Sequence, residues 1–401
     1  MIGEINDEHV AKDISDAKAL GLDAFAMNID HLEEWATGTV DRLFTHADSL
    51  DFSLFFSFDH NYFTDPSVYT SYIKPYLTKP SYYKHNGKPF LSTFGGEAIT
   101  DGQWASLKNS LGNILLVPGF FKATPSSTFF ADKPNLDGIF NWNAWPTAAA
   151  GKVEVPTADD ETYMTAAKAA NKLFMLGMSP LQFKHMDDGN NWYVRGESNF
   201  EVRIEQALQL QPDMIELQTW NDGGESHYMG NLWDEPLTNS PEIHAYVDGY
   251  DHTGYQQILP AFIQAWKRGD TTTAGMVPTN DKPVQGAFWY HTLTVGADCS
   301  ADPLGKPHDI ENAEDAVSGV VLVAKGQTGL VAVVNNGDKE LGKVELVEGY
   351  NRFKVEGLGA GKVQVEVWDG ETMVGGGYGL EEVSTSAALC NYNFQVVGFP
   401  G

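Results

Sequence analysis

Short apolar runs alternate with amphipathic segments over the first two thirds of the chain. Residues 7–20 carry apolar side chains at helical spacing, and the run Ala24–Ile29 that follows is almost continuously apolar, as in a strand covered on both faces. The alternation repeats until Met214–Leu217. The predicted strands are residues 24–29, 52–58, 89–94, 114–117, 138–140, 173–176 and 214–217. Helices between them predict parallel strands joined by helical crossovers.

These seven units are one short of a (β/α)8 TIM-type barrel. Only residues 1–3 precede the first helix, so we expect the first barrel strand to be largely missing: either the sequence is truncated or residues 1–3 end that strand. Such a barrel would be open beside its second and eighth strands. An open doubly wound sheet is the alternative, but no glycine-rich phosphate loop supports it. We therefore predict an α/β fold with a catalytic barrel over residues 1–270.

The pattern changes after residue 270. Short apolar strands are predicted at residues 320–323, 330–334, 343–346, 352–355, 363–368 and 394–397. Asn-Gly, Glu-Gly and Asp-Gly turns separate them at intervals of roughly ten residues, and no segment of convincing length has a helical period. This pattern predicts an antiparallel β-sandwich domain over residues 271–401.

Composition restricts the partners of the protein. Its 401 residues include 26 Lys and Arg against 54 Asp and Glu, for a net charge of −28. Such a surface repels nucleic acid and anionic membranes, and no apolar run is long enough for a transmembrane helix. The N-terminus is not a signal peptide, so the protein is cytoplasmic or its leader is absent from this chain. Cys299 and Cys390 are either free thiols or one disulfide.

Acidic and aromatic side chains cluster where the predicted strands end. In a (β/α)8 barrel these ends converge on one face, where active sites lie. The residues concerned are Asp59, His60, Glu97, Trp142, Trp145, Trp220, Asp222 and Glu225. We expect Gly223 and Gly224 to let the backbone turn so that Asp222 and Glu225 face opposite sides of one bond.

Carboxyl groups beside aromatic rings favour chemistry on a sugar. Tryptophan rings stack on pyranose faces, and glycoside hydrolysis needs two carboxyl groups that flank the bond. One must stay protonated near neutral pH, which repulsion between neighbouring carboxylates achieves. A single acidic residue is more often a solvated loop residue or a helix cap. The combination of strand end and flanking aromatic rings favours catalysis by Asp222 and Glu225 and, less strongly, by Asp59.

Other polar residues carry weaker signals. No His-x-His or His-Glu-x-x-His spacing indicates a metal site, so we predict none. Arg195 either binds an anionic group or pairs with Glu197; we favour that pair, or an orienting role for Arg195 beside a catalytic acid.

Several segments resemble glycoside hydrolase family 71, the fungal α-1,3-glucanases or mutanases. They are residues 24–28, 56–59, 141–145, 191–196, 390–396 and above all 218–228, which read QTWNDGGESHY. The resemblance covers essentially the whole chain. It implies a catalytic barrel with a β-sandwich behind it, and hydrolysis of α-1,3-glucan with inversion.

Carried onto matching positions, the essential acids of the family are Asp59, Asp222 and Glu225. Inversion requires a general acid and a general base with a water between them. We assign Glu225 as the acid and Asp222 as the base; Asp59 would orient the sugar or tune their pKa, and the roles of Asp59 and Asp222 are open to exchange. We expect the substrate to contact Asn28, His60, Glu97, Trp142, Trp145, Arg195, Trp220, Asn221, His227 and Tyr228.

The leading hypothesis is an endo-type α-1,3-glucanase, extracellular or in the cell wall. We expect a monomer that acts on a polysaccharide without a metal, a cofactor, a nucleic acid or a membrane partner. Two alternatives remain: a non-catalytic α-glucan-binding protein on the same scaffold, and a retaining glycosidase with Asp222 or Asp59 as nucleophile. The separation of the carboxyl groups discriminates between retention, where it is short, and inversion, where it is longer.

Overall fold

The computed structural model describes residues 3–187 and 189–401, so most of the N-terminal strand remnant proposed for residues 1–3 lies outside the described residues. The strands as far as residue 217 are β1 (Ala24–Ile29), β2 (Ser53–Asp59), β3 (Lys84–His85), β4 (Lys88–Phe94), β5 (Leu115–Phe120), β6 (Gly138–Asn141), β7 (Leu173–Met178), β8 (Gln182–His185), β9 (Asn191–Val194) and β10 (Met214–Leu217). The helices are α1 (Asp7–Leu20), α2 (Glu34–Leu50), α3 (Ser67–Ile73), α4 (Asp101–Leu111), α5 (Phe129–Asp132), α6 (Ala158–Ala169), α7 (Phe200–Leu210), α8 (Asp234–Leu237), α9 (Pro241–Val247) and α10 (Leu259–Arg268). All seven strands predicted in this part of the chain are present.

Local sequence sets the helix ends. The Asn6 side chain accepts a hydrogen bond from the backbone N–H of His9 at 2.9 Å, which caps the start of α1. Gly21 ends α1 with φ of +92°, a left-handed conformation that favours glycine. Thr100 and Gln103 form a reciprocal capping box at the start of α4. These signals mark where α1 begins and ends and where α4 begins.

The predicted parallel sheet is confirmed, and it curls into a half-barrel. Its order is β1-β2-β4-β5-β6-β7-β10, with every neighbouring pair parallel, and β3 adds an antiparallel strand beside β4. The edge strands are β1 and β10, so the half-barrel is open between them. Parallel pairing brings the carboxyl ends of all seven strands to one edge.

A cavity of about 360 Å³ extends along the opening of the half-barrel. Apolar side chains of both edge strands line it, among them Met27 and Ile215. One ring contact reaches across the opening: Phe25 of β1 lies 5.1 Å from Trp220, which follows β10. Gly230 makes room for this tryptophan, because a Cβ there would lie only 2.2 Å from its ring. Packing of aromatic rings thus joins the two edge strands where backbone pairing does not.

Two four-stranded antiparallel sheets and one short parallel pair of strands follow the half-barrel in the chain. The strands are β11 (Val284–His291), β12 (Leu293–Asp298), β13 (Ala316–Val323), β14 (Leu330–Asn336), β15 (Lys339–Glu345), β16 (Gly349–Glu356), β17 (Val363–Asp369), β18 (Thr372–Tyr378), β19 (Ser384–Ser386) and β20 (Phe394–Phe399). Two four-stranded sheets have the orders β16-β13-β11-β20 and β15-β14-β17-β18. The sequence did not predict β11, β12, β18 and β19, because all of β11 is buried without polar alternation and β18 contains three consecutive glycines.

The first of these sheets contributes to two hydrophobic cores. Along β11, Phe288 and Tyr290 pack in a cluster with Val334 and other residues of the second sheet. The alternate residue Trp289 belongs to the core shared with the half-barrel. Successive side chains of a strand point to opposite faces, so this sheet is covered on one face by the half-barrel and on the other by the second sheet.

The two cysteines form a disulfide, which answers the question that the sequence left open. Cys299 and Cys390 are 91 residues apart, and their Cα atoms are separated by 5.8 Å. Asp302 lies beside this bridge: its Oδ2 accepts the backbone N–H of Cys390 at 2.6 Å and contacts Nε2 of His185 at 2.9 Å. His185 is in β8, so the contact ties the disulfide region to the half-barrel. None of the helices in residues 3–187 and 189–401 has both the length and the apolar content needed to cross a bilayer.

Glu201 gives the fold a stability that depends on pH. This residue of α7 is 1% exposed, and its Oε2 has no hydrogen-bond partner among the described residues. Burial raises the pKa of Glu201 from 4.5 to about 8. The folded state therefore holds a proton that the unfolded chain releases. This stabilisation is fully present below about pH 4.5 and is lost as the pH rises through about 8.

We expect Glu201→Gln to remove this pH dependence, because glutamine stays neutral. The unfolding free energy of the Glu201→Gln protein should rise relative to that of the native protein between pH 5 and pH 8, by on the order of 3 kcal/mol. Urea unfolding at the two pH values measures it. Glu371→Gln, at an exposed turn, is the matched control and should show no growing difference. A constant difference between native and Glu201→Gln proteins would contradict the expectation.

Candidate active site

The turn after β10 brings two carboxyl groups together. Oδ1 of Asp222 accepts the backbone N–H of Glu225 at 3.0 Å, and the N–H of Asp222 is donated to Oγ1 of Thr219 at 2.9 Å. The predicted glycine hinge stays a prediction, and the backbone angles of the turn give it no support. The left-handed residue of this turn is Ser226, with φ of +58°, and neither Gly223 nor Gly224 has positive φ.

Gly224 instead permits close packing. A Cβ there would lie 3.3 Å from Oδ1 of Asp222 and 3.7 Å from Ile243. Its carbonyl accepts a hydrogen bond from the hydroxyl of Tyr246 at 2.7 Å. The glycine therefore lets α9, which carries Ile243 and Tyr246, hold the turn from behind.

His227 lies between the two acids. Its ring is buried, and Nε2 lies 3.4 Å from Oδ2 of Asp222 and 3.7 Å from Oε2 of Glu225. Neither ring nitrogen makes a well-aligned hydrogen bond with the described residues, so the interaction is mainly electrostatic. The Trp145 ring covers the histidine at a centroid distance of 5.8 Å. The result is a compact group of two carboxyls and one imidazole.

The pKa values of the two acids move in opposite directions. Burial raises the pKa of Asp222, but the neighbouring His227 outweighs it and holds that pKa well below its usual range. Burial also raises the pKa of Glu225, and the negative charge of Asp222 raises it further. The shifts therefore favour the ionised form of Asp222 and the protonated form of Glu225, which is the division that acid and base roles require.

A hairpin that the sequence did not reveal holds Glu225. The Gln182 amide on β8 donates to Oε2 of Glu225, and Nζ of Lys184 lies 3.9 Å from Oε1. Between them, the backbone N–H of Phe183 is donated to the carbonyl of Glu225 at 2.9 Å. Burial alternates along Gln182–His185, but Phe183 is the only apolar residue of this strand, so the sequence carried no clear strand signal here.

Asp59 lies at the carboxyl end of β2, on the same edge of the sheet as the acids that follow β10. Its Oδ1 accepts the backbone N–H of Asn61 at 2.8 Å. Burial raises the pKa of Asp59, and the charge of Asp30 adds to this effect. The contacts described for Asp59 do not join it to Asp222 or Glu225. The predicted three acids are therefore a close pair and a third residue elsewhere on the same edge.

Four other predicted residues lie together along one cavity. Asn28 at the end of β1, Trp142 after β6, and Trp220 and Asn221 after β10 line the same cavity as Asp222. Oδ1 of Asn28 accepts the Ser57 hydroxyl at 3.2 Å, and the Trp142 ring packs against Phe94 at 4.6 Å. These contacts fix an amide and aromatic rings close to the acids.

Glu97 and His60 have their polar atoms occupied by the protein. Oε1 of Glu97 accepts the backbone N–H groups of Phe121 and Lys122, each at 2.6 Å. The buried His60 ring contacts the Tyr69 hydroxyl at 3.2 Å, and burial lowers the pKa of His60 to about 4. These contacts support the loops after the strands, and the predicted sugar contacts gain no support from them.

Arg195 and Tyr228 are also buried. The predicted pair of Arg195 with Glu197 is wrong: Arg195 pairs with Glu314, while Glu197 pairs with His291. Glu314 lies 119 residues beyond Arg195, on the segment before β13, so this pair joins the half-barrel to the first antiparallel sheet. The Tyr228 hydroxyl donates to the carbonyl of Tyr250. Direct sugar contact by these residues stays a prediction that their burial does not favour.

One group of side chains in the described part of the chain has the spacing to share a cation. Potential ligand atoms of Asp222, Glu225 and His227 all lie within 4.8 Å of one another. Two carboxylate oxygens and one imidazole nitrogen are donors that divalent cations accept. The prediction that the protein has no metal stays a prediction.

Comparison with known proteins places these features in a family. The chain is 31% identical to glucan endo-1,3-alpha-glucosidase agn1 of Schizosaccharomyces pombe over 80% of this chain and 75% of that protein. It is 28% identical to the mutanase Pc12g07500 of Penicillium rubens over 99% and 86% of the two chains. Among solved structures, the GH99 endo-alpha-mannosidase of Bacteroides thetaiotaomicron matches with a TM-score of 0.51 at 14% identity, covering 66% of this chain and 80% of that one; this likeness concerns the fold alone. The model of glycosyl hydrolase family 71 matches residues 1–401, and the chain therefore belongs to that family.

Proposed function

We propose that this glycoside hydrolase cleaves internal α-1,3-glucosidic bonds of α-1,3-glucan. The names of its relatives, glucan endo-1,3-alpha-glucosidase and mutanase, support this substrate. The cavity supports it as well, because aromatic rings and an amide beside two carboxyls suit a neutral sugar. A net charge of −28 also favours a neutral polymer over an anionic one.

The opposite pKa shifts of Glu225 and Asp222 carry the mechanism that we propose. Glu225 donates its proton to the glycosidic oxygen as the bond to the anomeric carbon breaks. Asp222 accepts a proton from the water that attacks this carbon from the opposite side, which gives inversion. Asp59 orients the sugar from the carboxyl end of β2. In the alternative assignment, Asp59 is the base and Asp222 orients the sugar. His227 stabilises the negative charge of Asp222.

The short separation of the acids favours a second candidate mechanism. Carboxylate oxygens of Asp222 and Glu225 lie within 4.8 Å, whereas inverting pairs are typically about 6.5–9.5 Å apart and retaining pairs about 5–5.5 Å. In a retaining enzyme, Asp222 would attack the anomeric carbon and form a covalent glycosyl intermediate. Glu225 would first protonate the leaving oxygen and then deprotonate the water that releases the sugar. For inversion with this conformation, Asp59 is the better candidate for the base.

We further infer that the protein is extracellular or in the cell wall, and that it acts as a monomer.

We also propose that residues 1–270 form the catalytic domain, derived from a (β/α)8 barrel, and that residues 271–401 form a β-sandwich domain. The single hydrophobic cluster shared by the two four-stranded antiparallel sheets supports the sandwich.

Glu225→Gln should lower the rate of reducing-sugar release from insoluble α-1,3-glucan by about 10²–10⁴-fold, because the amide cannot donate the proton. Glu242→Gln, on the exposed first turn of α9, is a matched control and should retain the native rate. A native-like rate for Glu225→Gln would refute the catalytic assignment. Glucan binding without any product from the native chain would favour the non-catalytic alternative.

The anomer formed first discriminates between the two mechanisms. Inversion at an α-linked glucan releases a β-anomer, whereas retention releases an α-anomer. Proton NMR of soluble products in the first minutes, before mutarotation, records which one appears. We expect the β-anomer; an initial α-anomer would exclude inversion and assign Asp222 or Asp59 as the nucleophile.

Lys184→Met should move the basic limb of the pH–rate profile to higher pH. The positive charge of Lys184 lowers the pKa of Glu225, so its loss lets Glu225 keep its proton at a higher pH. We expect a displacement of up to about one pH unit. Lys168→Met, on the exposed face of α6, is the control. An unchanged basic limb in Lys184→Met would show that Glu225 does not set it.

A further inference from the structure

Three exposed rings lie together where β1 and β2 end. His31 follows β1, Trp35 lies in the first turn of α2 and Tyr62 follows β2. Trp35 is 37% exposed and Tyr62 is 60% exposed. The His31 ring centroid lies 5.5 Å from that of Tyr62 and 6.5 Å from that of Trp35. Neighbouring exposed rings at the functional edge of a sheet are typical of a binding surface.

The three rings belong to the same edge as the candidate active site. The backbone N–H of Tyr62 is donated to the carbonyl of Asp59 at 3.2 Å, so this ring is attached directly to the loop of the third acid. On the β1 side, Asn28 lines the cavity that also contains Asp222, and His31 follows three residues later. The rings therefore lie at the β1–β2 part of this strand edge, and Asp222 and Glu225 lie at its β10 part.

Neighbouring carboxylates position two of the rings. Nδ1 of His31 lies 2.9 Å from Oδ1 of Asp30, and Nε1 of Trp35 donates to Oε2 of Glu33 at 2.8 Å. Free oxygen lone pairs of these carboxylates can accept hydrogen bonds from sugar hydroxyls. The same negative charges oppose an anionic ligand. Ring faces edged by acceptors suit a neutral polysaccharide better than a nucleic acid or an anionic lipid surface.

We propose that His31, Trp35 and Tyr62 form a glucan-binding platform that holds the polymer beyond the bond being cleaved. The proposal rests on the function proposed above and adds a site for a distant part of the same chain. A long glucan would span from the platform to Asp222 and Glu225, whereas a short oligosaccharide occupies only the residues next to the cleaved bond. The platform should therefore increase affinity for the polymer and have little effect on the chemical step.

Single and double variants Trp35→Ala and Tyr62→Ala test the platform. On insoluble α-1,3-glucan, we expect the half-saturating substrate concentration to rise about tenfold for the double variant, because stacking contacts are lost. On a short soluble α-1,3-linked oligosaccharide, kcat should stay within about twofold of the native value. Tyr378→Ala is the matched control, since Tyr378 is 52% exposed but lies on β18 of the second antiparallel sheet. Thermal unfolding of each variant verifies that it folds.

A binding assay separates this proposal from the proposed function. The Glu225→Gln protein is mixed with insoluble α-1,3-glucan, and the bound fraction is measured with and without Trp35→Ala and Tyr62→Ala. Reduced binding of the folded double variant supports the platform even when the native chain releases no sugar, which would overturn only the proposed hydrolysis. Equal binding with and without the two rings overturns the platform. Equal losses of kcat on polymer and oligosaccharide also overturn it, since they would indicate a role in the chemical step.

Discussion

The electrostatic contact of His227 with Asp222 and Glu225 is the constraint on which the site depends. Two half-buried carboxyls in proximity cannot both carry a charge without a penalty. The imidazole lies nearer to Asp222, at 3.4 Å, than to Glu225, at 3.7 Å, and favours the ionised form of Asp222. Burial and the charge of Asp222 then raise the pKa of Glu225 and favour its protonated form. One buried ring thus makes two similar side chains chemically different.

Several distant parts of the chain hold this arrangement. Gln182 and Lys184 reach Glu225 from β8, Tyr246 holds the Gly224 carbonyl from α9, and Trp145 covers His227 from the loop after β6. The sites of these residues are fixed by the parallel sheet, since its strands end on one edge. The half-barrel is open between β1 and β10, but Phe25 and Trp220 bring the two edges into contact beside the cavity. The opening and the active site are therefore parts of one cavity.

The sequence predicted those features of the fold that depend on residues close together along the chain. The seven parallel strands were recognisable because each is a short apolar run followed by a helical period, and the strand ends located Asp59, Asp222 and Glu225. The partner of Arg195 was beyond this reasoning, because Glu314 becomes its neighbour only when the first antiparallel sheet packs on the half-barrel. The role of His227 was not apparent either, since its effect depends on distances of a few ångströms. Ser226, and not a glycine, supplies the left-handed turn, a choice that composition alone does not reveal.

The same packing explains why charged groups enclosed between helices and sheet differ in chemistry from those that face the cleft. Between the helices and the sheet, charged side chains are paired inside the protein, as Arg203 is with Asp160 at 2.6 Å, and such pairs fix the position of helices on the sheet. At the functional edge, Glu225 and Asp222 are partly accessible, with side-chain exposures of 31% and 15%. A sugar that enters the cleft removes water from both acids and strengthens their mutual electrostatic effect. Substrate binding should therefore raise the pKa of Glu225 further and favour the protonated form from which it donates its proton.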